Sequence, residues 1–157
     1  IRGNDRIIND MERAIESKCL TLITKQQPIA GDLRFVSATL KVVTDMERAG
    51  DQIVDIAELL LRMEMIDLTT YSEHFEPMVQ ETCKMVNKAV DAFISRNLEV
   101  AEQVIREDDV VDNLFNKVKD DVIAKVKDNK ISADECVDAL MIAKHLEKNC
   151  RLCSKRW

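Results

Sequence analysis

Glu47-Arg48-Ala49-Gly50-Asp51-Gln52-Ile53-Val54-Asp55 places an acid at every fourth position inside an apolar rhythm, and that combination decides the fold. Val36, Leu40, Val43, Gly50, Ile53, Ala57 and Leu60 recur at the period of one helix face, which predicts a long helix from about Asp32 to Met65. Asp32 is the expected N-cap. Residues four apart are neighbours on a helix surface, and like charges there cost a few tenths of a kcal/mol per pair. Glu47, Asp51 and Asp55 therefore repel along one side, and Arg48 relieves part of this through its i+3 relation to Asp51. Either these carboxylates form a platform for a metal ion, or they are a plain solvated acidic face.

Composition extends the helical reading to the whole chain. The 157 residues are 46% hydrophobic and 33% charged, with 3 Gly, 2 Pro and 4% aromatic, which suits helices and not sheets, so the expected class is all-α. A formal charge of −6 argues against nucleic acid as main partner and fits a cation-binding or protein-binding role. No apolar run is long enough to cross a bilayer, so direct membrane insertion is not expected. Cys19, Cys83 and Cys136 sit at helical spacing, where a reduced thiol behaves as a small hydrophobe, and a cytoplasmic setting is expected.

Around the central helix the pattern resolves into further elements. Ile8, Met11, Ile15, Cys19 and Leu22 or Ile23 predict a helix over roughly 5–26, ended by Pro28. Thr69 to Ser72 reads as a connection, and Met78, Thr82, Met85, Ala89 and Phe93 mark a third helix. Arg96-Asn97 reads as a tight turn, and a fourth helix over roughly 98–127 buries Val104, Val111, Leu114, Val118, Val122 and Val126. Ser132 with Glu135 three residues on is a capping box opening a fifth helix, which carries Val137, Leu140 and Ala143 inward.

A long-period repeat organises these helices. Asp5-Arg6-Ile7-Ile8-Asn9-Asp10-Met11 matches Asp108-Asp109-Val110-Val111-Asp112-Asn113-Leu114 in its acidic and apolar positions, and each copy leads to a helix carrying Met46-Glu47-Arg48 or Leu146-Glu147-Lys148. The expectation is tandem three-helix bundles, the first over 1–68 and the second over 69–157. By symmetry the first bundle lacks a helix preceding Ile1, so the chain is expected to be a fragment. In an antiparallel hairpin, residues equally far from the bend lie level. Counting outward from Pro28 brings Asp5 and Asn9 level with Asp51 and Glu47, and counting from Lys130 brings Asp112 and Asp108 level with Glu147 and Arg151. Unit charges about 4 Å apart interact by roughly 4 kcal/mol at an effective dielectric near 20, so converging carboxylates call for an oxygen-loving cation.

Gln26-Gln27-Pro28-Ile29-Ala30-Gly31-Asp32-Leu33-Arg34, followed by Lys41 and Glu47-Arg48-Ala49-Gly50-Asp51, resembles the PhoU family, regulators of bacterial phosphate uptake. The resemblance implies two similar three-helix bundles whose Glu/Asp-x-x-x-Asp motifs bind clustered metal, divalent or trivalent and iron in some members. It places ligands at Glu47 and Asp51 in the first bundle and at Asp108 and Asp112 in the second, beside the facing acids Asp5 and Glu147. It also implies a negative regulator of phosphate-starvation signalling, with a phosphate ABC transporter ATPase and a phosphate-sensing histidine kinase as partners; self-association is a further expectation. Two departures stand out: Asn9 interrupts the acidic pattern beside Asp5, and Arg151 stands where a second ligand after Glu147 would fall. The run from Asn149 to Trp157 leaves the family pattern abruptly, as a shifted reading frame would.

Other chemistry is poorly supported. A single Cys150-x-x-Cys153 without a second pair is weak for zinc or redox work, and neither His74 nor His145 lies in the Glu-x-x-His spacing of di-iron bundles. Met63, Met65, Met78 and Met85 read as core filler. No nucleophile and base pairing or glycine-rich phosphate cradle appears, so an enzyme is not expected. The alternatives are a metal-dependent helical-bundle enzyme and a purely structural oligomerisation module.

Overall fold

The apolar period is realised as α1 (Arg2–Gln26), α2 (Ala30–Arg62), α3 (Phe75–Ser95), α4 (Leu98–Lys127) and α5 (Ala133–Ser154), with a 3-10 turn at Leu68–Thr70 between α2 and α3. This is a computed structural model; it describes residues 2–63 and 67–154, with side chains from Arg6 onward. The described residues contain no strand, so the chain is all-α. The expected end of the second helix at Met65, the side chain of Asp5 and the last three residues lie outside what is described.

Local chemistry sets the helix ends. Arg96 adopts a left-handed conformation (φ 53) that closes α3, and the Asn97 side chain accepts a bond from the Val100 N–H at 3.2 Å to open α4, so the expected turn is present. The capping box is reciprocal. Ser132 N–H donates to Glu135 Oε2 at 2.8 Å, and Glu135 N–H donates to Ser132 Oγ at 3.2 Å. Asp32 is not an N-cap. Extended Ile29, following Pro28, starts α2 earlier and leaves Asp32 inside the first turn, its N–H bonded to Ile29 O, where a carboxylate still suits the helix dipole.

α3, α4 and α5 form one three-helix bundle. Met78 and Met85 from α3, Val111, Val118 and Val122 from α4, and Ile142 and Ala143 from α5 are fully enclosed. Each buried Val or Ile contributes on the order of 1.5–3 kcal/mol relative to exposure. Val137 was expected to point inward and instead faces solvent, 58% exposed, because the buried face of α5 runs through Ala139, Ile142, Ala143 and Leu146; its neighbour Asp138 is buried at the edge of that face, bonded by Arg62 of α2.

α2, 33 residues and therefore about 50 Å long, joins the two halves. Its last turns place Ile56, Leu59, Leu60 and Met63 against the bundle core, and it runs antiparallel to α5, with Arg62 meeting Asp138 and Asp55 meeting His145. Near its start, Phe35 stacks on Phe93 of α3 with ring centres 5.1 Å apart, and the Arg96 guanidinium lies 4.0 Å over the Phe35 ring. α1 packs along α2. Gly50 is the point of close approach: a Cβ there would lie 2.9 Å from Ile8 Cδ1, so the absent side chain lets the helices meet. Ile7 and Met11 on α1 are 52% and 61% exposed, and among the described residues the first hairpin has no third helix over them.

Candidate functional site

The seam of the first hairpin begins with register. The approach of Ile8 to Gly50 sets Asn9 at the height of the Glu47 to Asp51 turn, within two residues of the register that counting outward from Pro28 gives. Glu47 is half-buried and Asp51 exposed. Asn9 Oδ1 is buried with no hydrogen-bond donor on it, an oxygen that a cation would satisfy. The carboxylates of Glu47 and Asp51 are one helical turn apart on the same side of α2, and with this amide oxygen they are the hard oxygen donors of the hairpin. Asp5 belongs to the same helix face by sequence. Arg48 pairs with Asp45 at 3.4 Å, so its side chain turns toward the preceding turn and not toward Asp51.

Asp55 departs from that row. Its Oδ2 lies 3.9 Å from Nδ1 of buried His145, so it borders the α2–α5 interface. Burial lowers the His145 pKa, against the pull of Asp55, with Lys148 adding to the lowering. Two turns along, Arg62 grips Asp138 with two nitrogens, Nε donating to Oδ2 at 2.9 Å and Nη2 donating to Oδ1. Sequence reasoning did not find these pairs, because no short turn joins α2 to α5 to fix their register.

In the second hairpin the structure does bring the expected acids together. Glu147 is 2% exposed, and Asp108 and Asp112 on α4 are half-buried opposite it. Cations already sit against them. Arg151 Nη2 is 2.6 Å from Glu147 Oε1 and 4.0 Å from Asp112 Oδ2, Lys144 Nζ is 2.5 Å from Glu147 Oε2, and Ser154 Oγ donates to Asp108 Oδ2 at 3.0 Å. Burial raises the Asp112 pKa; Arg151 pulls it back, while Asp108 and Glu147 push it up. With the oxygens of Glu147 capped by a guanidinium and an ammonium, these residues do not fit a metal ion. Among the described residues, no group of three or more His, Cys, Asp or Glu is disposed to hold one.

Cys150 and Cys153 are buried, with no disulfide. Burial pushes their thiols up to about 12 and about 11, and the Cys150 thiol donates to Thr82 Oγ1 at 3.4 Å. Buried and protonated, these thiols pack as small apolar groups of the core. Among the described residues, no helix is long and apolar enough to cross a membrane.

Comparison with known proteins agrees with this architecture. The PhoU domain family model matches residues 1–60 and 75–155. Over 92% of its length the chain is 36% identical to a phosphate-specific transport system accessory protein PhoU homolog of Clostridium acetobutylicum, covering 66% of that protein. It is 34% identical to PhoU homolog 1 of Methanothermobacter thermautotrophicus, covering 67% of it. The chain thus spans about two thirds of the length of the curated relatives it matches. The crystal structure of the phosphate transport system regulatory protein PhoU from Streptococcus pneumoniae superposes with a TM-score of 0.84 at 25% identity, over 97% of this chain and 71% of that one. Both hairpins fall within the family match and all five helices within the structural one, and on that evidence the chain belongs to the PhoU family.

Proposed function

We propose that this chain is a regulatory accessory of phosphate transport that acts by binding other proteins and not by turnover. The observation that carries this reading is the family match across both hairpins, joined to relatives whose names state that role. By the same resemblance its partners are the ATPase of a phosphate ABC transporter and a phosphate-sensing histidine kinase, and it works in the cytoplasm as a negative regulator of the starvation response. Capture of tagged chain from phosphate-replete and phosphate-starved cells tests it. Recovery of the transporter ATPase or the kinase in a phosphate-dependent ratio is expected; recovery of neither in either state overturns the assignment.

The proposal includes an ion in the first hairpin. Glu47, Asp51 and Asp5 would hold it with Asn9 Oδ1, whose buried oxygen carries no donor, and the ion would be a divalent or trivalent cation, iron among the candidates. Elemental analysis of purified chain, with melting curves before and after chelation, tests this. Bound metal and a lowered Tm on stripping are expected. Metal-free protein whose Tm does not respond to added iron, manganese or zinc overturns it.

A further inference from the structure

We propose that Arg151 takes the place of a bound cation in the second hairpin, so that the Asp108, Asp112 and Glu147 seam is neutralised from within and accepts no metal ion. The inference stands on the geometry of α4 and α5 and holds whether or not the first hairpin carries an ion.

A carboxylate as deeply buried as that of Glu147 must be paired with a cation or give up its charge. Both of its oxygens have a cation beside them: Oε1 has Arg151 Nη2 at 2.6 Å, and Oε2 has Lys144 Nζ at 2.5 Å, a charge contact without hydrogen-bond alignment. The same Arg151 nitrogen reaches Asp112 Oδ2 of the facing helix at 4.0 Å, so one guanidinium spans acids on α4 and α5 as a bridging ion would. Lys144 is itself held between the helices, 5.1 Å over the Phe115 ring of α4. Asp108 receives the Ser154 hydroxyl on Oδ2, which leaves Oδ1 as a buried oxygen of this seam without a donor. A metal site needs four or more ligands, on the order of six to eight for calcium. An incoming divalent or trivalent ion would also meet two resident cations at the oxygens it needs, and their repulsion opposes its entry. Arg151 is suited to the task because the guanidinium stays charged at all working pH values and its Nη2 lies within ion-pair distance of two carboxylates.

The consequence is an asymmetric protein, in which any metal dependence belongs to the α1–α2 hairpin and the α4–α5 hairpin is fixed in one charge state. The test is paramagnetic broadening of the NMR spectrum of the full chain by manganese(II), read at residues 108–112 and 144–151. In a Glu47→Gln, Asp51→Asn background, which removes the α2 carboxylates that lie within paramagnetic reach of α5, those signals are expected to stay sharp, and adding Arg151→Asp broadens them and raises bound manganese by elemental analysis. That gain is lost again when Asp112→Asn is added. Selective broadening at 108–112 in that background overturns the proposal, as does a folded Arg151→Asp chain that gains no manganese. Should Arg151→Asp fail to fold, the background spectrum and the metal content of Asp112→Asn decide: unchanged metal on losing Asp112 supports the proposal, and a loss contradicts it. Failure of the first hairpin to bind appears separately, as no broadening around Glu47 and Asp51 in the wild-type chain.

Discussion

Ile142 and Ala143 on α5 and Val111, Val118 and Val122 on α4 are fully enclosed, whereas on α1 Cys19 alone among the described residues is buried, and Ile7 and Met11 face outward. The hairpins share a sequence pattern but not their means of cohesion. In the second, α3 lies over the α4–α5 seam, so apolar burial supplies most of the stability, and Arg151 and Lys144 balance the acids. In the first, α1 rests on α2 through a glycine approach and a seam holding an orphaned amide oxygen. The physical lesson is that duplicated acids do not imply duplicated ion sites: a seam that is closed by packing can take its cation from a side chain, and one that is open has room for an ion.

The largest effect should separate the two cores. Ile142→Ala removes a fully enclosed side chain and is expected to cost about 2–5 kcal/mol by urea unfolding, while Met11→Ala, at an exposed site, shifts stability by about 0.5 kcal/mol or less. Equal costs would erase the contrast. Next comes charge: Arg151→Ala leaves Glu147 with Lys144 as its remaining cation and should cost about 1–3 kcal/mol, reduced by the partial exposure of Arg151. In the first hairpin Gly50→Leu should pry α1 from α2, seen as faster hydrogen exchange in α1 with α4 and α5 unchanged. Gly50→Ala should be tolerated, because the nearest atom is the flexible end of Ile8.

Smaller effects mark the cap of α5. Ser132→Ala should lower stability by about 0.5–2 kcal/mol. The Glu135 pKa is lowered, first by the Ser132 backbone N–H and then by its hydroxyl. A depressed acid contributes stability that is present above its unfolded pKa, about 4.3, and lost as pH falls through the folded value. Melting curves of wild type and Glu135→Gln should therefore differ at neutral pH and converge in acid. Thiol labelling gives a last contrast: Cys83, exposed, should react with iodoacetamide in the native chain, and Cys150 only on unfolding.

Much of this architecture was legible in sequence because it is local. The capping box at Ser132 and Glu135, the Arg96-Asn97 turn and the period of α4 each rest on neighbouring residues, and counting outward from one bend levelled Asn9 with Glu47, within two residues of the register that the Ile8 to Gly50 approach sets. Asp32 was misread because the extended backbone at Ile29 opens the helix before the acid is reached. Val137 was misread because the buried face of α5 runs through Ala139, Ile142, Ala143, Leu146 and Cys150, a phase that leaves Val137 outside it and brings Asp138 to its edge, against Arg62. Asp55 was placed in the acidic row by spacing, but α2 buries a second face against α5, and there it meets His145. Arg151 stood out in sequence as an interruption; its role emerged only with the reach of its side chain across to Asp112.

The most direct measurement is hydrogen exchange on chelator-stripped and metal-reloaded chain, read by mass spectrometry helix by helix. Stripping is predicted to speed exchange in α1 and in the Glu47 to Asp51 turns of α2, leaving α4 and α5 unchanged. Faster exchange in α4 and α5, or none in α1, would contradict the account.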